Sequence, residues 1–171
     1  MTQTSIIIGN LFSLCAMISD SISGTRKKHR EIMAVQIVSQ FFYGASSIVL
    51  KGYSSTAQNV VAVFRNLAAM KNVKSKLLEW GLILSGVVLG VLFNNLGLLG
   101  WLPIAANLEY SVSVFKFKDN EKALKLAFIL NMVMYAVFSA AIKNYVGALS
   151  CTVIAVTTTV SLIKAKKEKE E

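Results

Sequence analysis

Asn, Gln, Ser and Tyr recur at helical spacing inside stretches that are otherwise apolar, and these polar stripes are the residues from which chemistry could be built. In a helix, positions i, i+3, i+4 and i+7 share a face. Gln36, Gln40, Tyr43 and Ser47 form one such stripe, Asn131, Tyr135 and Ser139 a second, and Asn10, Ser13 and Asp20 a third. Gln58 shares a face with Arg65, and Asn59 lies with Asn66 on the neighbouring face. Amides and phenols both donate and accept hydrogen bonds, which suits a neutral solute bearing hydroxyl or amide groups. The same side chains can instead bond to one another between helices, where each contributes about 0.6 to 2 kcal/mol.

Three ionisable residues stand within or at the edge of apolar stretches: Asp20, Arg65 and Glu109. An unpaired charge at mid-membrane costs from about 3 to over 10 kcal/mol, so each must reach water or a partner. Arg65 precedes Lys71 by six residues, roughly 9 Å by helical rise and within snorkelling reach of headgroups. Alternatively it pairs with Glu109, the deepest acid of the chain, which could also titrate as a proton-coupling carboxylate. Asp20 is expected as a solvated boundary residue. Catalytic constellations are missing. The single histidine, His29, sits in KKHRE, and Cys15 and Cys151 fall in apolar helices as small packing residues. There is no C-x-x-C, no H-E-x-x-H and no glycine-rich phosphate loop. No enzyme activity, metal or cofactor is expected.

The elements that must position these residues follow from composition. The chain has 171 residues, 54 % hydrophobic and 16 % charged, a mean hydropathy of +0.57 and one proline; soluble domains average about 25 % charged. A bilayer core of about 30 Å needs about 20 helical residues. Seven apolar segments meet that requirement: Ser5 to Ile22, Ile32 to Leu50, Ser54 to Met70, Leu77 to Phe93, Leu98 to Phe115, Ala123 to Ile142 and Tyr145 to Ile163. None alternates with period two as a barrel strand would.

The net charge of +9 is distributed by loop. Arg26, Lys27, Lys28 and Arg30 follow the first segment, Lys71, Lys74 and Lys76 the third, Lys116, Lys118, Lys122 and Lys125 the fifth, and Lys164, Lys166, Lys167 and Lys169 end the chain. The intervening loops hold only Lys51 and Lys143. The positive-inside rule then puts the N-terminus outside and the C-terminus in the cytoplasm. Basic residues confined to short membrane-side loops do not make a nucleic-acid surface; the expected partners are the lipid bilayer and a small polar solute.

Displacing the chain on itself by 92 residues aligns Tyr43 with Tyr135, Ser47 with Ser139, Lys51 with Lys143 and Tyr53 with Tyr145. An offset of 97 brings Asn10 onto Asn107. The expected plan is an all-α membrane protein of seven transmembrane helices and one domain. Residues 5–70 form a first three-helix repeat, 77–93 a linker helix, 98–163 a second repeat of the same orientation, and 164–171 a charged tail. Gly86 and Gly90 in the linker form a G-x-x-x-G that permits close helix packing.

TAQNVVAVFRNLAAMK at Thr56 to Lys71, FFYG at Phe41 to Gly44 and WLPIAANLEYSVSVFKFK at Trp101 to Lys118 resemble the YgjV-type bacterial inner-membrane proteins over nearly the whole chain. The 3+1+3 layout also resembles the SWEET sugar carriers and the wider PQ-loop transporters. That resemblance implies a solute pathway between the triplets, here lined by Gln40, Tyr43, Asn59, Asn107, Asn131 and Tyr135. The chain departs from those carriers in that Pro103 is followed by Ile104 rather than Gln, and Cys151 stands opposite Asn59 in the repeat. The expected function is a small-solute carrier or facilitator; the alternative is a non-transporting sensor or interaction partner that keeps the same fold.

Overall fold

Long apolar runs with a single proline leave the backbone no competitor to helical hydrogen bonding, and the computed structural model is helical throughout its described residues, 1–25, 29–71, 75–116 and 121–167. Among them are seven α-helices and no strand: α1 Gln3–Thr25, α2 His29–Val49, α3 Tyr53–Met70, α4 Lys76–Leu92, α5 Trp101–Lys116, α6 Glu121–Ala141 and α7 Tyr145–Lys167. A four-residue 3₁₀ turn, Gly97–Gly100, leads into α5. Pro103 falls in the first turn of α5, where its missing N–H has no intrahelical acceptor to lose. Ser75 caps α4, its hydroxyl accepting the Leu78 N–H at 3.3 Å. The basic residues Arg26, Lys27, Lys28, Lys74, Lys118 and Lys169, on which part of the charge reading rests, lie outside the described residues.

α2 and α6 end in the same way, 92 residues apart. Gly52 N–H donates to the Ser47 carbonyl and Lys51 N–H to that of Ile48; Asn144 N–H donates to Ser139 and Lys143 N–H to Ala140. These are paired Schellman closures, each with a lysine in the left-handed region, at φ 58° for Lys51 and 62° for Lys143.

The helices close a ring. α1 packs on α2, α2 on α3, α3 on α5, α5 on α6, α6 on α7 and α7 back on α1, while α4 lies against α3 and α5. Gly90 explains the approach of α4. A Cβ there would stand 2.5 Å from Gln58 Nε2 and 2.6 Å from Ile104 Cγ1, so only glycine admits both neighbours.

Polarity is inverted relative to a water-soluble protein. The buried set includes Ser13, Ser39, Ser46, Ser54, Gln58, Asn59, Asn66 and Asn131, whereas Phe41, Phe64, Leu84, Leu92, Leu149 and many other large apolar side chains face outward. Such a surface is stable only in contact with lipid. α1 over Gln3–Ile22 and α7 over Tyr145–Ile163 are long and apolar enough to cross a bilayer on composition alone, with shorter apolar helices at Ala34–Val49 and Lys125–Ala141. The sequence reading gave all seven segments that capacity; α3 is too polar and α4 and α5 too short to pass the same test. Among the described residues an apolar core cluster forms from Leu50, Phe138 and Ile142, flanked by Leu96 and Leu102, at the α2–α3 and α6–α7 turns.

Candidate functional site

The stripes of α2, α3 and α6, and Asp20 of the α1 stripe, face one cavity of about 610 Å³. Its wall along α2 runs from Gln36 to Ser47, about 16 Å by helical rise. Gln40, Tyr43, Asn59, Asn107, Asn131, Tyr135 and Arg65 all line it. So do Asp20, Gln58, Tyr110, Ser139 and Asn144. Glu109 does not.

Arg65 is held from inside the protein. Its Nη1 donates to Asn107 Oδ1 at 3.3 Å, Asn107 Nδ2 donates to Gln58 Oε1 at 2.6 Å, and Gln58 Nε2 donates to the Gly86 carbonyl at 2.8 Å. This relay crosses from α3 to α5, back to α3 and on to α4. Gln58, only 2 % exposed, is satisfied at both ends of its amide. Among the described residues no ion pair joins Arg65 to Glu109; instead Ser113 Oγ donates to Glu109 Oε1 at 3.2 Å, and Glu109 Oε2 is buried without a partner. The reason is angular. Asn107 points into the ring and takes the guanidinium, and a residue two positions further on α5 is turned about 200° away from it.

Asp20 also differs from expectation. It lines the cavity and faces the hydroxyls of Ser39 and Tyr43 rather than marking a solvated helix end. Its place in a stripe with Asn10 and Ser13 was the available signal. Tyr110 and Ser111 were missed although they stand three and four residues after Asn107, on its face. Tyr110 stacks obliquely on Phe128, centroids 5.6 Å apart. Cys151 lines the cavity, whereas Cys15 is exposed on the outer surface of α1.

Some stripe residues spend hydrogen bonds on packing. Asn131 Nδ2 donates to the Ala106 carbonyl at 2.7 Å, tying α6 to α5, and Ser13 bonds Ser46 between α1 and α2. Asn59 does not: it is 8 % exposed and its Nδ2 has no partner. Among the described residues no group of three or more His, Cys, Asp or Glu side chains could hold a metal ion.

Phe138, Ile142, Asn144 and Gly147 line the end of the cavity nearest the paired turns, and two asparagines fasten those turns. Asn10 Nδ2 donates to the Lys143 carbonyl and Asn10 Oδ1 accepts the Val146 N–H, both at 2.9 Å. Asn95 Nδ2 donates to the Lys51 carbonyl at 2.8 Å and Asn95 Oδ1 accepts the Tyr53 N–H at 3.4 Å. Each turn is therefore held by an asparagine from the other half of the chain. Asn95 performs for one turn what Asn10 performs for the other; Asn107, its expected counterpart, lies deeper in the cavity.

An outward-facing apolar surface, a helical ring and a polar interior define an integral membrane protein. The chain belongs to the Imp-YgjV family of bacterial inner membrane proteins, whose model matches residues 7–169. No curated protein matches it. No solved structure matches it either.

Proposed function

We propose that this protein is a carrier or facilitator for a small solute, in which seven membrane-spanning helices form two parallel triplets, α1–α3 and α5–α7, joined by α4, with the N-terminus outside and the C-terminus cytoplasmic. The observation that carries the reading is a cavity between the triplets whose walls correspond. Tyr43 with Tyr135, Ser47 with Ser139 and Asn59 with Cys151 line it as pairs separated by 92 residues. Two further facts support the repeat: the matching Schellman turns, and the contacts α1 with α7 and α5 with α3, which an axis exchanging the triplets would interchange. The arrangement is SWEET-like in plan. Rocking of one triplet against the other would part the apolar cluster of Leu50, Phe138 and Ile142 that lies beside the fastened turns.

A thermal-shift screen of the purified protein in detergent against sugars, amino acids, nucleosides and vitamins tests the reading, because a ligand that binds only the folded state raises its apparent stability by mass action. A saturable shift that Asn59→Leu removes without unfolding the protein is expected. Liposome flux of that ligand then separates a carrier from a sensor that binds without transport. No shift in any class from a folded sample would overturn the solute site.

A further inference from the structure

The cavity wall is chemically uneven, and its charges are not paired with each other. Nearer the paired turns the offset-related positions are identical, Tyr43 with Tyr135 and Ser47 with Ser139. Elsewhere in the wall they diverge: Gln36 corresponds to Phe128, Gln40 to Met132, and Asn59 to Cys151, with all six lining the cavity. The first half thus supplies hydrogen-bonding groups where the second supplies apolar and aromatic surface.

Asp20 and Arg65 face this same space. Among the described residues the groups beside Asp20 are uncharged partners, the hydroxyls of Ser39 and Tyr43 and the Cys151 thiol, and the one acceptor of Arg65 is the neutral Asn107 amide. The phenols of Tyr110 and Tyr135 are also near the guanidinium. A carboxylate and a guanidinium held in low dielectric without counter-charges are costly. A neutral solute would leave both uncompensated, and a singly charged one would leave the other. A ligand with both signs compensates both, and Asn59 Nδ2, buried and unpartnered at the level of Gly44, adds a neutral donor to the wall.

Resting on the reading of the cavity as a solute site, we propose that its ligand is an amphipathic zwitterion, a small molecule joining an ammonium and a carboxylate to an apolar body. The ammonium lies toward Asp20 and Tyr43, the carboxylate toward Arg65, and the apolar body against Phe128 and Met132. A cavity of about 610 Å³ has room for such a molecule.

The test is a matched series on the wild-type protein in detergent, read by melting temperature across concentration: L-phenylalanine and L-leucine as zwitterions with an apolar body, phenethylamine as the cation alone, 3-phenylpropionate as the anion alone, glycine as the zwitterion without the body, and glucose as a neutral polyol. L-phenylalanine or L-leucine is expected to give a saturable shift, with apparent affinity at least tenfold above either singly charged analogue, since each loses one charge-assisted contact. Asp20→Asn should then weaken the zwitterion while leaving 3-phenylpropionate unaffected, and Arg65→Gln should do the reverse for phenethylamine, a selectivity that misfolding cannot imitate. A shift with glucose and none with the zwitterions would overturn the zwitterion and leave the solute site standing. Equal shifts from the zwitterions and one singly charged analogue would reject the two-charge assignment. Silence from the whole series overturns the proposal, and silence extending through the broader screen above overturns the solute site with it.

Discussion

At the residue scale, the behaviour of Gln58 and Gly90 is the most direct consequence of inverted polarity. In a soluble bundle α3 and α4 would meet through large apolar side chains, but in lipid that contact gains little, and close approach with an internal hydrogen bond takes its place. Gly90→Ala should therefore destabilise the protein by about 1 to 3 kcal/mol, because the new methyl meets Gln58 and Ile104 in a packed interface. Gly81→Ala on the same helix, where a Cβ would meet nothing within 4 Å, should be neutral or slightly stabilising. Thermal melts of the two variants in one detergent decide the matter, and equal melting temperatures would refute the packing account. Gln36, Gln40 and Tyr43, whose stripe neighbours share their own helix, line the cavity together. The residues that sequence reasoning misplaced depend on another helix. Glu109 was matched to Arg65 by depth, and depth carries no information about azimuth; Asp20 was judged by its distance from the helix end, although its stripe already pointed inward.

At the element scale, the turns after α2 and α6 combine a strained residue with an external clamp. A lysine in the left-handed region carries roughly 1 kcal/mol that glycine would not. Lys51→Gly and Lys143→Gly are expected to leave the melting temperature unchanged or raise it by the equivalent of up to about 1 kcal/mol, and a clear fall would show that the lysine side chains stabilise these turns. Asn10→Leu and Asn95→Leu remove partners from a backbone carbonyl and an N–H at once, so each should destabilise by about 1 to 3 kcal/mol. Hydrogen exchange localises the effect: protection should fall at Val146 in Asn10→Leu and at Tyr53 in Asn95→Leu, and loss spread evenly over the chain would contradict the clamp. The 92-residue offset is visible in the sequence as matched residues, whereas the matching turns are not read from it, since Gly52 and Asn144, which close them, differ. Nor was the role of Asn95 legible, because the 3₁₀ turn Gly97–Gly100 separates it from α5 and breaks the register in which a counterpart of Asn10 was sought.

At the scale of the whole molecule, the ring α1–α2–α3–α5–α6–α7 encloses polar groups and turns apolar ones outward, so the bilayer acts as the outer part of the hydrophobic interior. Charge distribution is what the proposed orientation rests on. The loops carrying Lys51 and Lys143 are poor in basic residues and their alternates are rich in them. A fluorescent reporter fused after Glu171 should light in the cytoplasm, and exchanging Lys51 and Lys143 for neutral residues should not reverse it; a reporter active only outside the cytoplasm would invert the proposed topology. Membrane class was legible from composition, because burying or exposing this much apolar surface leaves no other solvent. The closure of the ring was not, since α1 with α7 and α3 with α5 meet through contacts that no local pattern encodes.

The cross-half clamps also bear on biogenesis. The α2–α3 turn leaves the ribosome well before Asn95 does, and Asn10 is inserted long before the Lys143 carbonyl and Val146 N–H that it binds exist. During synthesis each asparagine or its target must wait in the membrane with its hydrogen bonds unmade, and the nascent chain can reach its final shape only after α7 arrives and docks on α1. A disulfide engineered between positions 10 and 146 should therefore form in the completed chain and in no arrested intermediate that still holds α7 inside the ribosomal tunnel, making the last helix the step that commits the bundle to its native assembly.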